Sequence, residues 1–215
     1  MIELKNVSKR IKEKVVLDNI CLVLKTGKTY GIKGINGSGK TMLMRAISGL
    51  IYPTSGEVLI EGKALGKEIS FPESLGLLIE NPVFLGSYTG RKNLEVLAAL
   101  NDRAGKKEID EALIKVGLAP EDKRKYKKYS LGMKQRLGIA AAIMENPQIL
   151  LLDEPLNALD TEGIALFEKI LEEEKRKEKL VVLSCHDDQK LKEYADVIVT
   201  MENGRVIRYG DIKSE

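Results

Sequence analysis

Gly34-Ile35-Asn36-Gly37-Ser38-Gly39-Lys40-Thr41 decides how the rest of this 215-residue chain is read. An extended apolar segment (Thr29, Tyr30, Ile32) precedes it and a helix-forming run, Met42 to Ile47, follows. Strand, glycine-rich loop and helix is the setting in which G-x-x-x-x-G-K-[ST] denotes a phosphate-binding loop. Gly34, Gly37 and Gly39 are free to take positive φ and let backbone approach a polyphosphate. The N–H groups through Asn36 and Ser38 then form an anion nest, backed by those at the helix N-terminus. Lys40 adds a point charge for the β and γ phosphates, and Thr41 offers a hydroxyl to Mg²⁺. The plain alternative is a glycine-rich turn before a surface lysine. The strand and helix flanks argue against it, so binding of a nucleoside triphosphate is expected.

A second chemical stretch is Ile149-Leu150-Leu151-Leu152-Asp153-Glu154. Four apolar residues ending in two acids place carboxylates at the C-terminal edge of a parallel sheet, where ligands of open α/β sheets bind. Asp153 suits a Mg²⁺ contact. Glu154 is placed to orient or deprotonate a water for in-line attack on a γ phosphate. Alone, such a strand reads as one ending in solvated acids; the upstream phosphate loop reverses that. His186 follows the apolar run Leu180 to Ser184 on the same sheet edge. It is the one histidine in the chain, and its end-of-strand position predicts a γ-phosphate contact rather than an ordinary loop residue.

Composition sets the outer limits. The length fits one domain with room for subdomains. Lys plus Arg is 35 and Asp plus Glu 32, a net +3 that argues against a dedicated nucleic-acid binder. Cys21 and Cys185 show no C-x-x-C spacing, which predicts a reducing compartment and no disulfide framework. No apolar run reaches the ~18 residues of a membrane span, and the N-terminus lacks the apolar core of a signal peptide. A soluble, cytosolic chain is expected.

Along the chain, Ile2 to Val7 and Val16 to Leu24 read as strands around a charged turn at Arg10 to Lys14. Glu57 to Ile60 reads as a short strand between turns. From Asn93 to Ile143 the pattern is helical, with faces Leu94-Leu97-Ala98-Leu100, Ile109-Leu113-Val116 and Leu137-Ala140-Ala141-Met144. Buried parallel strands are predicted at Ile149 to Leu152 and Leu180 to Ser184. Between them an amphipathic helix, Glu162 to Glu178, turns Leu166, Phe167, Ile170 and Leu171 inward. Glu172 with Arg176 and Glu173 with Lys177 are its expected i, i+4 pairs.

Taken together, the glycine loop, Tyr129-Ser130-Leu131-Gly132-Met133-Lys134-Gln135-Arg136, Leu150 to Pro155, Asn157-Ala158-Leu159-Asp160 and Ser184-Cys185-His186 resemble the ATP-binding subunit of an ABC transporter. The resemblance covers essentially the whole chain. The family pattern at Ser130 is L-S-G-G-Q; this chain keeps Ser130 and Gly132 but carries Leu131 and Met133. That form is similar to the bacitracin-resistance and lantibiotic-immunity branch, as is Glu80, where most of the family has a glutamine. The resemblance implies Mg²⁺ held with Thr41, Asp153 and Glu80, and a head-to-tail dimer in which Ser130 and Gly132 of one copy meet ATP on the other. Before an apolar helix, the Ser130 stretch forms a second phosphate-binding end, which agrees. Asp160 would then lie across that interface near Glu154. Family members often stack adenine on an aromatic between the first two strands. Here the matching position is Ile11 and no aromatic occurs between Met1 and Thr29, so loose base selectivity is expected. The run Lys123, Arg124, Lys125, Lys127, Lys128 reads as a solvated face, with a membrane-side contact as the alternative.

The sequence therefore predicts one α/β P-loop ATPase over residues 1–215. It has a mixed β core, a small antiparallel β subdomain and a helical insert near 82–145. Its expected work is ATP hydrolysis driving a separate multi-span permease, with a peptide antibiotic as cargo and no nucleic acid. The chain would sit at the inner face of the cell membrane. A soluble ABC ATPase of DNA maintenance or translation is the second reading. The insert is too short for the coiled coil of the first kind, and one ATPase unit is present where the second has two. A small-molecule kinase would need an acceptor site where the Ser130 stretch lies.

Overall fold

The structure is a computed structural model and describes residues 1–79 and 82–211. Its larger sheet is built around β3 (Thr29–Lys33), the strand that feeds the glycine loop. β3 lies between β8 (Leu180–Ser184) and β9 (Val197–Glu202), parallel to both. Beyond β8 follow β7 (Ile149–Leu152) and β6 (Leu75–Leu78), also parallel. β10 (Arg205–Asp211) closes the opposite edge antiparallel to β9. β7 and β8 are buried at every position, as parallel strands covered on both faces must be. Because β8 separates β3 from β7, the glycine loop and the acidic pair end on strands two places apart. Ser184 ends the strand between them.

The second sheet is antiparallel, in the order β2 (Lys14–Leu24), β1 (Ile2–Ile11), β4 (Ser55–Ile60), β5 (Lys63–Ala64). The turn expected at Arg10 to Lys14 is narrower than predicted. Ile11 pairs with Lys14 and Arg10 with Val15, which leaves Lys12 and Glu13 as the turn. β-Branched Ile11 and Val15 favour the ladder over the loop. Ile2, Leu4, Leu17 and Ile20 of this hairpin share a core with Leu43, Met44 and Ile47 of α1 (Lys40–Ser48).

α2 (Gly90–Asn101), α3 (Lys106–Lys115) and α4 (Leu131–Ile143) fill the predicted helical stretch between β6 and β7. Their expected faces pack into a second core, Leu97 and Ala141 only half-buried, and one residue falls outside it. Leu100 is 77% exposed. At 3.6 residues per turn it lies about 120° round from Leu94, off the inward stripe.

α5 (Thr161–Arg176) buries Phe167, Ile170 and Leu171, while Leu166 is half-buried. Glu172 and Arg176 pair at 3.3 Å. Glu173 and Lys177 do not pair. Glu173 meets Lys115 of α3 at 2.5 Å, and Lys177 meets Glu174 at 2.8 Å. Tertiary partners override the local spacing there, and Glu174 also forms an ion pair with buried Lys179.

The hairpin β9–β10 is absent from the sequence reading, although Asn203-Gly204 is a strong hairpin signal. Both residues take positive φ, 48° and 79°. α6 (Asp188–Tyr194) connects β8 to β9. Cys21 and Cys185 are both free. Among the described residues no helix is long and apolar enough to cross a membrane.

Candidate functional site

The glycine loop wraps the start of α1. Gly37 and Gly39 take φ of 81° and 106°, the left-handed region where a side chain is strained. Gly34 is required for a different reason: a Cβ there would stand 2.4 Å from Ser38 Oγ and 2.5 Å from the Met201 carbonyl oxygen. Ser38 N–H donates to the Ile35 carbonyl at 3.1 Å, and the Ser38 carbonyl accepts from Gly204 N–H at 2.9 Å. Gly204 in turn accepts from Asp18 N–H at 2.8 Å, so the unpredicted β9–β10 turn ties the loop to β2. Asn36 lines the cleft at the loop's outer bend. Lys40 is buried and its ammonium donates to the Gly34 carbonyl at 2.7 Å, folding back over the loop it must serve.

Thr41 and Asp153 meet at the sheet edge. Thr41 Oγ1 donates to Asp153 Oδ2 at 2.5 Å. Ser184 Oγ donates to Asp153 Oδ1 at 2.6 Å and accepts from Glu154 N–H at 2.9 Å. Ser184 thus fixes both acids, a role the sequence reading missed because it follows from β8 lying between β3 and β7. Two hard oxygens side by side at the head of the phosphate loop fit Mg²⁺, which uses few protein carboxylates and completes its shell with phosphate and water. Among the described residues no cluster of three or more His, Cys, Asp or Glu could hold a metal unaided. Glu80, the third expected metal contact, lies outside the described residues.

Glu154 stands at φ 51°, a strained setting for a residue with a side chain. Its Oε2 accepts from His186 N–H at 3.1 Å, and His186 Nε2 stands 3.4 Å from Oε1. Oε1 itself is buried and makes no hydrogen bond. Burial holds the Glu154 carboxyl above the usual carboxylate range, and neighbouring Asp153 adds to this, against the opposing pull of His186 and Lys40. A raised carboxyl with a spare acceptor is suited to taking a proton from water. These residues line one cleft of about 520 Å³, which runs from Glu154 and His186 along the glycine loop to Ile11 at the tip of the β1–β2 hairpin.

The Ser130 stretch lies elsewhere. Ser130 caps α4, its Oγ accepting from Met133 N–H at 3.2 Å. Leu131 and Gly132 form the first turn of α4 rather than preceding it. A Cβ on Gly132 would stand 2.7 Å from the Ala158 carbonyl oxygen, so the 157–160 loop crosses directly over it. Asp160 caps α5 and binds Arg136 Nη2 at 2.6 Å. These groups line a separate cavity of about 790 Å³ that shares no lining residue with the first. Gln135 links the two regions: its Nε2 donates to the carbonyls of Glu154 and Pro155, each at 3.1 Å. Sequence alone places Gln135 and Arg136 in the Ser130 stretch but gives them no partner, since their partners are about twenty residues away.

A glycine-loop cradle at the end of β3, with an acidic pair two strands away, defines a P-loop nucleotide-binding protein. The family model described as ABC transporter matches residues 17–157. The chain belongs to the ABC transporter family and is one of its ATPases. It is 46% identical over 206 residues to the uncharacterized ABC transporter ATP-binding protein YybJ of Bacillus subtilis (strain 168), spanning 96% of this chain and 94% of the relative. It is 39% identical over 209 residues to the bacitracin transport ATP-binding protein BcrA of Enterococcus faecalis, spanning 96% of this chain and 68% of that one. Among solved structures it resembles the dimeric ATP-binding cassette MJ0796, in a post-hydrolysis state bound to ADP and Pi. The TM-score is 0.88 at 28% identity, covering 99% of each chain. The resemblance drawn from the five motifs is borne out, as are the mixed α/β fold and the ATPase activity.

Proposed function

We propose that this chain is the ATP-driven subunit of an exporter, acting as a head-to-tail pair beneath a separate multi-span permease. The observation that carries the reading is the convergence of Thr41, Asp153, Glu154 and His186 at one end of the phosphate-loop cleft. Lys40 and the loop N–H groups hold the β and γ phosphates, with Lys40 leaving the Gly34 carbonyl to do so. Thr41 and Asp153 hold Mg²⁺, which when bound neutralises charge developing on the phosphates. Glu154 orients the attacking water and takes its proton, and His186 contacts the γ phosphate. Ser130 and Gly132 meet that phosphate from the second copy. The two separate cavities support this, since within one chain no residue lines both the phosphate-loop cleft and the Ser130 cavity. The dimeric cassette resembling this chain supports it too.

A membrane partner is supported by the apolar groove lined by Leu50, Ile51, Leu77, Val83, Phe84 and Leu97, about 540 Å³, between the sheet edge and α2. Val83 is 89% exposed and Leu50 53% exposed on this groove, apolar surface of the contiguous kind that marks interaction sites. The partner holds the chain at the inner face of the membrane. The bacitracin transport relative makes a peptide antibiotic the favoured cargo. Purifying the tagged chain from detergent-solubilised membranes tests this. A stoichiometric multi-span protein should co-purify and raise the ATPase rate. Recovery with soluble partners alone would overturn the reading.

A further inference from the structure

We propose that Lys123, Lys125, Lys127 and Lys128, with Leu85 and Tyr88 beside them, form a surface that docks directly on anionic lipid headgroups. The proposal rests on the reading of the neighbouring groove as the seat of a membrane partner. By charge alone the stretch is a solvated basic face, but its surroundings argue otherwise. All four lysines are exposed, and none makes an ion pair among the described residues. The carboxylate nearest in sequence, Asp122, is taken by Arg124 at 2.7 Å. Other lysines of the chain are matched, as Lys28 is with Asp211, Lys115 with Glu173 and Lys190 with Glu168. A chain of net charge +3 thus concentrates four unmatched ammonium groups within residues 123–128. Such a block repels itself unless an anionic surface receives it.

The stretch is also held in place. Tyr126 and Tyr129 are buried, so the backbone that carries the lysines is anchored between them. The Tyr126 hydroxyl donates to the Pro82 carbonyl at 2.5 Å, and its ring meets Phe84 edge-on at 5.4 Å. Thr89 bridges Lys125 in antiparallel fashion. Tyr126 N–H donates to the Tyr88 carbonyl at 2.8 Å, and Lys127 N–H to the Gly86 carbonyl at 3.2 Å. These bonds lay residues 85–89 alongside the lysines. There Leu85 is 52% exposed and Tyr88 39%. Ammonium groups beside an exposed aliphatic and a tyrosine match a membrane interface, where phosphates meet the charge and the headgroup region takes the rest. A soluble anion or a nucleic acid would meet the charge and leave Leu85 in water. The same segment continues through Phe84 and Val83 into the groove, so the surface adjoins the place of the membrane partner.

Flotation of the purified full chain with vesicles, in the absence of any permease, tests this. Vesicles of phosphatidylcholine alone should bind little, and those with about 30% phosphatidylglycerol should bind well at about 0.1 M salt and poorly at about 0.5 M. Lys128→Gln should weaken binding about fivefold, and the fourfold change of Lys123, Lys125, Lys127 and Lys128 to Gln about 10²-fold or more. Leu85→Ser should cost about three- to tenfold without altering the salt dependence. A control with Lys25, Lys67, Lys169 and Lys192 changed to Gln removes the same charge elsewhere and should bind within about twofold of the parent. The fourfold variant should hydrolyse ATP at the parent's rate, which also shows that it is folded. Equal loss in variant and control, or no preference of the parent for phosphatidylglycerol, would overturn the proposal. If the parent ignores vesicles while the fourfold variant loses a co-purifying permease, the lysines serve an acidic segment of that partner and the proposal falls, although the membrane-partner reading stands. Absence of any membrane protein from the purification would bring down that reading instead.

Discussion

Two helices of this chain begin at a small-residue loop, and they differ in what they leave unspent. α1 starts at Gly39, which offers no side-chain cap, and Lys40 sits beside it in the cleft. α4 starts at Ser130, whose own hydroxyl already serves Met133 N–H. In its cavity Arg124 is paired with Asp122 at 2.7 Å and Arg136 with Asp160 at 2.6 Å. The first terminus brings the helix dipole and the Lys40 charge together, which suits it to holding a polyphosphate. The second has its lining guanidinium charges neutralised and shares no lining with the first. It is suited to meeting an anion delivered, with its counter-charge, by another surface. On the proposed reading, one end cradles the nucleotide of its own chain and the other completes the site of a second copy.

Disabling each end separately breaks the comparison most sharply. Lys40→Ala should cost on the order of 10²–10³-fold in ATP affinity, because a desolvated phosphate charge loses its partner. Fluorescent-nucleotide titration checks this, with circular dichroism to confirm that the loop survives loss of the bond to Gly34. Ser130→Glu should instead leave ATP affinity of the monomer within about threefold while hydrolysis falls about 10²-fold, since a carboxylate then faces the γ phosphate of the other copy. Equal losses in binding and turnover would mean that Ser130 belongs to its own chain's site.

Smaller changes sharpen the same contrast. Gly132→Ala pushes against the Ala158 carbonyl. It should destabilise the fold by about 1–3 kcal/mol in urea melts, as overpacking does, and slow hydrolysis more than it weakens ATP binding. Gln135→Ala removes two hydrogen bonds to the Glu154-Pro155 backbone. At about 1 kcal/mol each, a loss of up to roughly thirtyfold in kcat is expected, with nucleotide affinity little changed. A full rate would show that Glu154 is held by Ser184 and His186 without help from α4.

What could be read from sequence follows the same division. The phosphate loop, the acidic pair and the buried strands β7 and β8 carry their chemistry within a few consecutive residues, and all were legible. The roles of Ser184, Gln135 and Gly204 arise because strand order and helix packing bring distant backbone beside the site. Ser184 serves Asp153 and Glu154 because β8 intervenes between β3 and β7. The Lys115–Glu173 link between α3 and α5 displaced a local pair for the same reason. Asn203-Gly204 was readable as a turn, but its hold on the glycine loop was not.

The central claim is that two copies complete the site, and Glu154→Gln tests it most directly. The substitution keeps the phosphate cradle and removes the carboxylate that takes the proton, so hydrolysis should fall by about 10²-fold or more while ATP still binds. Bound ATP then has no means of leaving by hydrolysis. Sedimentation velocity of this variant at saturating Mg-ATP should show a dimer that reverts to monomer when ATP is replaced by ADP. A species that binds ATP and stays monomeric would contradict the account.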